Sequence, residues 1–196
     1  MAYQIQIKRP LSHSLKIAVA TIAVFACVAL LTRFFSGPDH KTEQTHDTGW
    51  QVYFSPGGGC TDAIVEKLAE AKVSVLVQAY SFTSARIAKA LADAKSRGVT
   101  VSVILDKGQL SEQNCQVDVF AQSGIKTLID SEHASSHNKV MVVDSETVIT
   151  GSFNFTTAAE ANNAENLLII RDKTLAQRYT ENWYAHSAHS KPFLGK

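Results

Sequence analysis

The sequence predicts an α/β sandwich, a central mixed β-sheet flanked by helices. Three observations carry that expectation. From Trp50 onward, short β-rich apolar runs alternate with stretches of helical periodicity. The runs Val73–Tyr80 and Val99–Leu105 are nearly continuous in apolar content, as strands covered on both faces require. The chain has 196 residues, 45% hydrophobic and 19% charged, enough for one domain with a real core. That composition excludes a collagen-like, coiled-coil, disulfide-dense or wholly disordered chain.

The elements follow in order. Gln51 to Phe54 reads as a short strand ending in Ser55-Pro56-Gly57-Gly58-Gly59, a tight turn. Thr61 is placed to cap a helix with Ile64, Val65, Leu68 and Ala71 on one face. After the strand Val73–Tyr80, Thr83 or Ser84 opens a helix with Ile87, Leu91 and Ala94 inward and Gly98 beyond its end. Val99–Leu105 is the next strand, followed by a helix near Glu112–Gln122, Gly124 and a strand Ile125–Ile129. Strand signals return at His137–Val143, Thr147–Thr150 and Asn166–Ile170, and a last helix covers about Leu175–Ala188.

Residues 1–36 differ in kind. Lys8, Arg9 and Lys16 precede an apolar run from Ile17 to Leu31, extending to Phe35 if Arg33 snorkels, so a transmembrane helix over about 17–35 is expected. The reading is a signal or anchor segment. A cleaved signal is the alternative, although Cys27-Val28-Ala29 is a poor cleavage site. Residues 37–48 are a polar linker, and residues 49–196 form one domain. Residues 1–37 carry four cations and no acid, so residues 38–196 have a net charge of −3 and no global field for nucleic acid. Cys60 and Cys115 are either bridged or free, and no Cys/His cluster has zinc spacing.

The chemistry concentrates in His137-Asn138-Lys139, Asp144 and Gly151-Ser152-Phe153-Asn154. On a strand His137 and Lys139 share a face, while Asp144, seven residues from His137, has the opposite parity and should point away or sit at the strand end as a structural acceptor. Ser152 and Asn154 add a hydroxyl and an amide at the same spacing. An imidazole, a point cation and two neutral donors suit a phosphodiester, whose non-bridging oxygens need donors while a proton moves through His.

This pattern, HxK-x4-D-x6-GSxN, resembles the motif of the phospholipase D superfamily at His137, Lys139, Asp144, Gly151, Ser152 and Asn154. The likeness continues through Phe155-Thr156 and Ala164-Glu165-Asn166. Upstream it includes Val52–Pro56, Gln78–Thr83 and Arg97-Gly98-Val99. It covers essentially all of residues 50–185 and is similar to the small, single-motif bacterial endonuclease branch. The resemblance implies a phospholipase D-like sandwich and a catalytic set of His137, Lys139, Asp144 and Glu165. His137 would be the nucleophile, forming a phosphohistidine, and Glu165 would orient its imidazole. Lys139, Ser152 and Asn154 would cradle the phosphoryl oxygens, with no metal or cofactor called for. Such sites use two motifs, and the second HxK spacing, His189-Ser190-Lys191, runs into Pro192 and reads as coincidence. One motif per chain therefore implies a homodimer.

Other features take plainer readings. Arg86, Lys89, Lys95 and Arg97 read as a solvated helix face. His186 and His189, with Trp183 and Tyr184, read as a helix end rather than a metal site. The functional expectation is a metal-independent phosphodiesterase, a non-specific endonuclease acting on DNA or RNA as a homodimer. The alternatives are a phospholipid hydrolase or a non-catalytic component of an envelope or DNA-transfer assembly. The basic N-terminal flank places the catalytic domain in the periplasm on a single-pass inner-membrane anchor, or free in the periplasm or secreted if the signal is cleaved.

Overall fold

Buried strands need partners on both edges and cover on both faces, and residues 49–195, those described by a computed structural model, meet both needs with one eight-stranded sheet. The expected anchor and linker, residues 1–48, lie outside the described residues. The elements are β1 (Trp50–Ser55), α1 (Cys60–Glu70), β2 (Ser74–Ala79), α2 (Ala85–Ser96), β3 (Thr100–Asp106) and a 3₁₀ turn (Lys107–Leu110). Next come α3 (Val117–Gln122), β4 (Lys126–Asp130), β5 (Lys139–Val143) and β6 (Thr147–Gly151). Last are α4 (Thr157–Ala161), β7 (Glu165–Arg171), α5 (Lys173–His189) and β8 (Lys191–Pro192). The sheet order is β1-β7-β6-β5-β2-β3-β4-β8. Only β2/β3 and β3/β4 pair in parallel, so the sheet is mixed, with an antiparallel half hinged to a parallel half along the β5/β2 pairing.

Cover comes from two sides. Ile64, Leu68, Ile87, Leu91 and Phe120 of α1, α2 and α3 are fully buried in the larger core, each contributing about 1.5–3 kcal/mol by leaving water. α5 carries Ala176 into a smaller core with Val140, Val142 and Val148, and Trp183 into another with Ile104 and Leu128. The Trp183 indole N–H donates to the Val77 carbonyl at 2.8 Å, which satisfies its buried polar edge and pins α5 to β2.

Local chemistry corrects several boundaries. Ser84, not Thr83, caps α2, accepting from the Ile87 amide. Thr61 does not cap α1. The cap is Gly59 at φ +79, and the Glu160 carboxylate accepts from the amides of Gly59 and Thr61 at 3.2 and 2.6 Å. A carboxylate at a helix N-terminus satisfies donors that Thr61, already inside the helix, cannot reach. The third helix starts at Val117 rather than near Glu112, because Asn114 takes a left-handed φ of +61. Cys60 and Cys115 are free. The basic helix face is solvated, with Arg86 paired to Asp62 and Lys89 to Asp93.

Asp144 closes β5 in a turn where it and Ser145 have φ of +53 and +56, a conformation Asp tolerates. Its carboxylate accepts from the amides of Lys72, Val73 and Ser74 at 3.0, 2.8 and 2.9 Å, and its own amide donates to the Ser74 carbonyl. Burial alone would raise its pKa, but those three amides outweigh it and hold the carboxyl below its ordinary value. A depressed folded pKa stabilises above the ordinary Asp range near ~3.9, and the gain is lost as pH falls through the lower folded value. Asp144→Asn should therefore lower unfolding free energy by about 1 kcal/mol at neutral pH, with the gap closing in acid, while the folded fraction keeps its turnover. Urea unfolding of both proteins from pH 7 to pH 3 checks this; equal stability at pH 7, or a stable but inactive variant, contradicts it.

Candidate active site

Strand directions assemble the site. Ala79 at the end of β2 pairs with Lys139 at the start of β5, Val140 with Thr150 near the end of β6, and Gly151 with Leu167 near the start of β7. The motif segments therefore meet at one sheet edge, where His137, Lys139, Gly151, Ser152, Asn154 and Glu165 line an open cavity of about 520 Å³. Asp144 is the exception. β5 carries it about 16 Å along extended chain to the opposite edge, where it holds backbone amides instead of facing the cavity. Asp144 therefore lies outside the cavity, and the reason is the length of β5 between it and His137, not the parity expected from a strand that holds both.

His137 stands just before β5 rather than on it and is exposed to solvent. Its ring packs on Tyr80, centroids 4.5 Å apart and tilted by 57°. The same tyrosine lies under Lys139, whose Nζ is 4.9 Å from the ring centroid and donates to the His137 carbonyl at 3.2 Å. Lys139 is only 7% exposed. Burial pulls its pKa down and the charge of Glu165 works against that fall, leaving it below the ordinary lysine value. Tyr80 belongs to the motif-flanking segment read from the sequence, yet its place under both residues became visible only when β2 and β5 paired.

The second half of the motif works by alternation. Phe153 and Phe155 are fully buried, which turns Ser152 and Asn154 toward the cavity. Ser152 Oγ donates to Glu165 Oε2 at 2.6 Å and accepts from the Asn166 amide at 3.1 Å. Glu165 also accepts from Asn163 Nδ2 at 3.1 Å, and no hydrogen bond joins it to His137 within one chain. Asn154 Oδ1 is buried and has no hydrogen-bond partner among the described residues. Cys60 offers no rival nucleophile, because burial first and Glu160 second push its thiol up to about 12.

Gly151 explains why the motif has glycine there. Its φ is +146, and an added Cβ would sit 2.3 Å from the Asn166 carbonyl oxygen. That carbonyl accepts from the amides of Ser152 and Phe153. Gly151→Ala should cost about 1–3 kcal/mol through the backbone alone and, by displacing Ser152, about 100-fold in phosphodiester turnover. A melting curve and a rate measured well below the transition test both; a variant that is as stable and as active as the parent contradicts the geometry.

Comparison with known proteins agrees with this geometry. The family described as cardiolipin synthase, PLD-like domain matches residues 64–186. A phospholipase D of Rickettsia typhi is 42% identical over 135 residues, covering 69% of this chain and 66% of that protein. A mitochondrial cardiolipin hydrolase of Canis lupus familiaris is 30% identical over 127 residues, 65% of this chain and 50% of that protein. The chain thus spans between half and two thirds of the length of these curated relatives. Among solved structures, Nuc from Salmonella typhimurium, a phospholipase D family member, superposes with a TM-score of 0.71 at 37% identity, covering 74% of this chain and 98% of that one. With the family match spanning most of the sheet and every motif residue but Asp144 gathered in one cavity, the chain belongs to the phospholipase D superfamily.

Proposed function

We propose that the chain is a metal-independent endonuclease that cleaves DNA or RNA phosphodiester bonds in a homodimer. The observation that carries the reading is the cavity lining. Every lining residue, His137, Lys139, Gly151, Ser152, Asn154 and Glu165, is polar or glycine, and the cavity is open. That suits a polyanionic strand passing across the edge better than an acyl chain, which would need apolar walls. Lys139 supplies the charge and Asn154 an amide for the phosphoryl oxygens, Ser152 joins them once its hydroxyl turns from Glu165, and Glu165 is a single carboxylate rather than the cluster magnesium takes.

The mechanism needs two imidazoles on opposite sides of phosphorus. Neutral His137 attacks, forming the P–N bond as the P–O bond to the leaving strand breaks, and His137 of the partner subunit gives its proton to the departing oxygen. That second imidazole, now neutral, takes a proton from water, whose oxygen displaces the phosphohistidine and returns His137 to its starting state. When the Ser152 hydroxyl turns to the phosphoryl group, Glu165 is freed to orient and balance the imidazolium.

A second reading is favoured by the relatives, a phospholipase D and a cardiolipin hydrolase by name. On that reading the same residues would act on a phospholipid headgroup, and an anchor over residues 17–35 would hold the domain at the inner membrane on its periplasmic side. One assay separates the two: the protein in excess EDTA, below its melting temperature, with plasmid DNA, RNA and phospholipid vesicles side by side. Release of nucleotides with little phosphatidic acid is the expected result. Phosphatidic acid release alone, or cleavage that magnesium restores after chelation, overturns it.

A further inference from the structure

Away from the cavity, on the same sheet edge, four side chains converge. Asp130 closes β4 with its side chain fully buried. His186 Nδ1 lies 2.9 Å and His133 Nδ1 3.1 Å from Asp130 Oδ2, and His189 Nε2 lies 3.4 Å from Asp130 Oδ1. One ligand atom from each residue fits within a span of 4.8 Å. Ordinary hydrogen bonding accounts for His186 and His133. It does not account for His189, whose Nε2 is buried and has no hydrogen-bond partner. The helix end read from the sequence is real, but its last turn delivers two imidazoles onto a buried carboxylate and a third imidazole from the loop after β4.

We propose that Asp130, His133, His186 and His189 form a structural zinc site that ties the loop leading to His137 to the C-terminal end of α5. Three imidazoles and a carboxylate match the ligand types of zinc rather than magnesium or calcium. Tetrahedral zinc with ligands at 2.0–2.2 Å sets its donors about 3.3 Å apart, inside the range seen here. Four protein ligands leave no open position, so the site is structural and separate from the phosphodiester cavity, about three strand spacings or ~14 Å along the sheet. His133, with 45% of its side chain exposed, leaves a way in for the ion.

The consequence is mechanical. Only residues 131–136 separate Asp130 from His137, and three contacts besides the imidazole already hold that loop: Glu132 N–H donates to Asp130 Oδ1 at 3.1 Å, Ser136 N–H to Asp106 at 2.7 Å, and Lys107 Nζ to the His133 carbonyl at 2.8 Å. A bound ion adds the strongest tie, joining the loop to α5 across more than 50 residues.

The test uses the full chain, stripped with chelator, dialysed and titrated with zinc sulfate by calorimetry, with bound metal counted by elemental analysis. One zinc per chain and a rise of about 5 °C in melting temperature are expected. Cobalt(II) in its place should show the intense visible bands of a tetrahedral ion. His189→Gln, whose parent Nε2 makes only the 3.4 Å ion contact with Asp130, should weaken zinc at least about tenfold and abolish those bands; His133→Gln, at a half-exposed position, should do the same. Failure of the parent to take up stoichiometric zinc, or uptake unchanged in both variants, overturns the proposal. Neither failure touches the phosphodiesterase reading, because cleavage below the melting temperature draws on the other cavity.

Discussion

The register of β5 against β2 is the constraint on which the rest depends. It joins the antiparallel half of the sheet to the parallel half, and it is fixed at both ends. At one end the Tyr80 amide donates to the Asn138 carbonyl at 2.8 Å, beside His137 and Lys139. At the other, the Asp144 carboxylate collects the amides entering β2. Strand side chains alternate with period two, so a slip of one residue would turn Lys139 out of the cavity and bring Val140 in. The motif aspartate thus serves chemistry at a distance, by holding the strand that presents the imidazole and the ammonium.

The same economy appears across the cavity. Ser152, Glu165 and Asn166 hold one another from adjoining strand ends, and Gly151 lets the strands approach closely enough for that to happen. The Ser152 hydroxyl is positioned by this network, and its one proton, held by Glu165, has only to turn about the Cβ–Oγ bond to reach a phosphoryl oxygen. Exposed His137 is the contrast. Tyr80 packs against its ring, and among the described residues no side chain hydrogen-bonds the imidazole; in the proposed dimer the second copy would complete its surroundings.

Much of this was legible in the sequence for physical reasons. Spacing of two along extended chain fixes shared faces, so His137 with Lys139 and Ser152 with Asn154 could be paired; Asp144 could be set apart as well, although the length of β5 rather than its parity is what separates it. Apolar periodicity located the long helices and the buried strands. What was not legible depends on residues far apart in the chain. Glu160 caps a helix a hundred residues earlier, a contact no local pattern encodes. Glu165 found Ser152 and Asn163 rather than the imidazole. Asp130 and His133 meet His186 and His189 only because α5 crosses the sheet and returns to its edge, and the short α4 and β8 carry too few residues to show a period.

The central claim is one active site built from two copies of His137. Co-expression of differently tagged chains, one unaltered and one His137→Ala, gives a mixed dimer that can be purified by both tags and assayed on a phosphodiester substrate. In each such dimer the site lacks either its nucleophile or its acid, and loss of acid–base help alone costs roughly 10²–10⁴-fold. The account predicts activity far below half that of the unaltered dimer. Retention of about half, or full activity from a well-folded monomer, would contradict it.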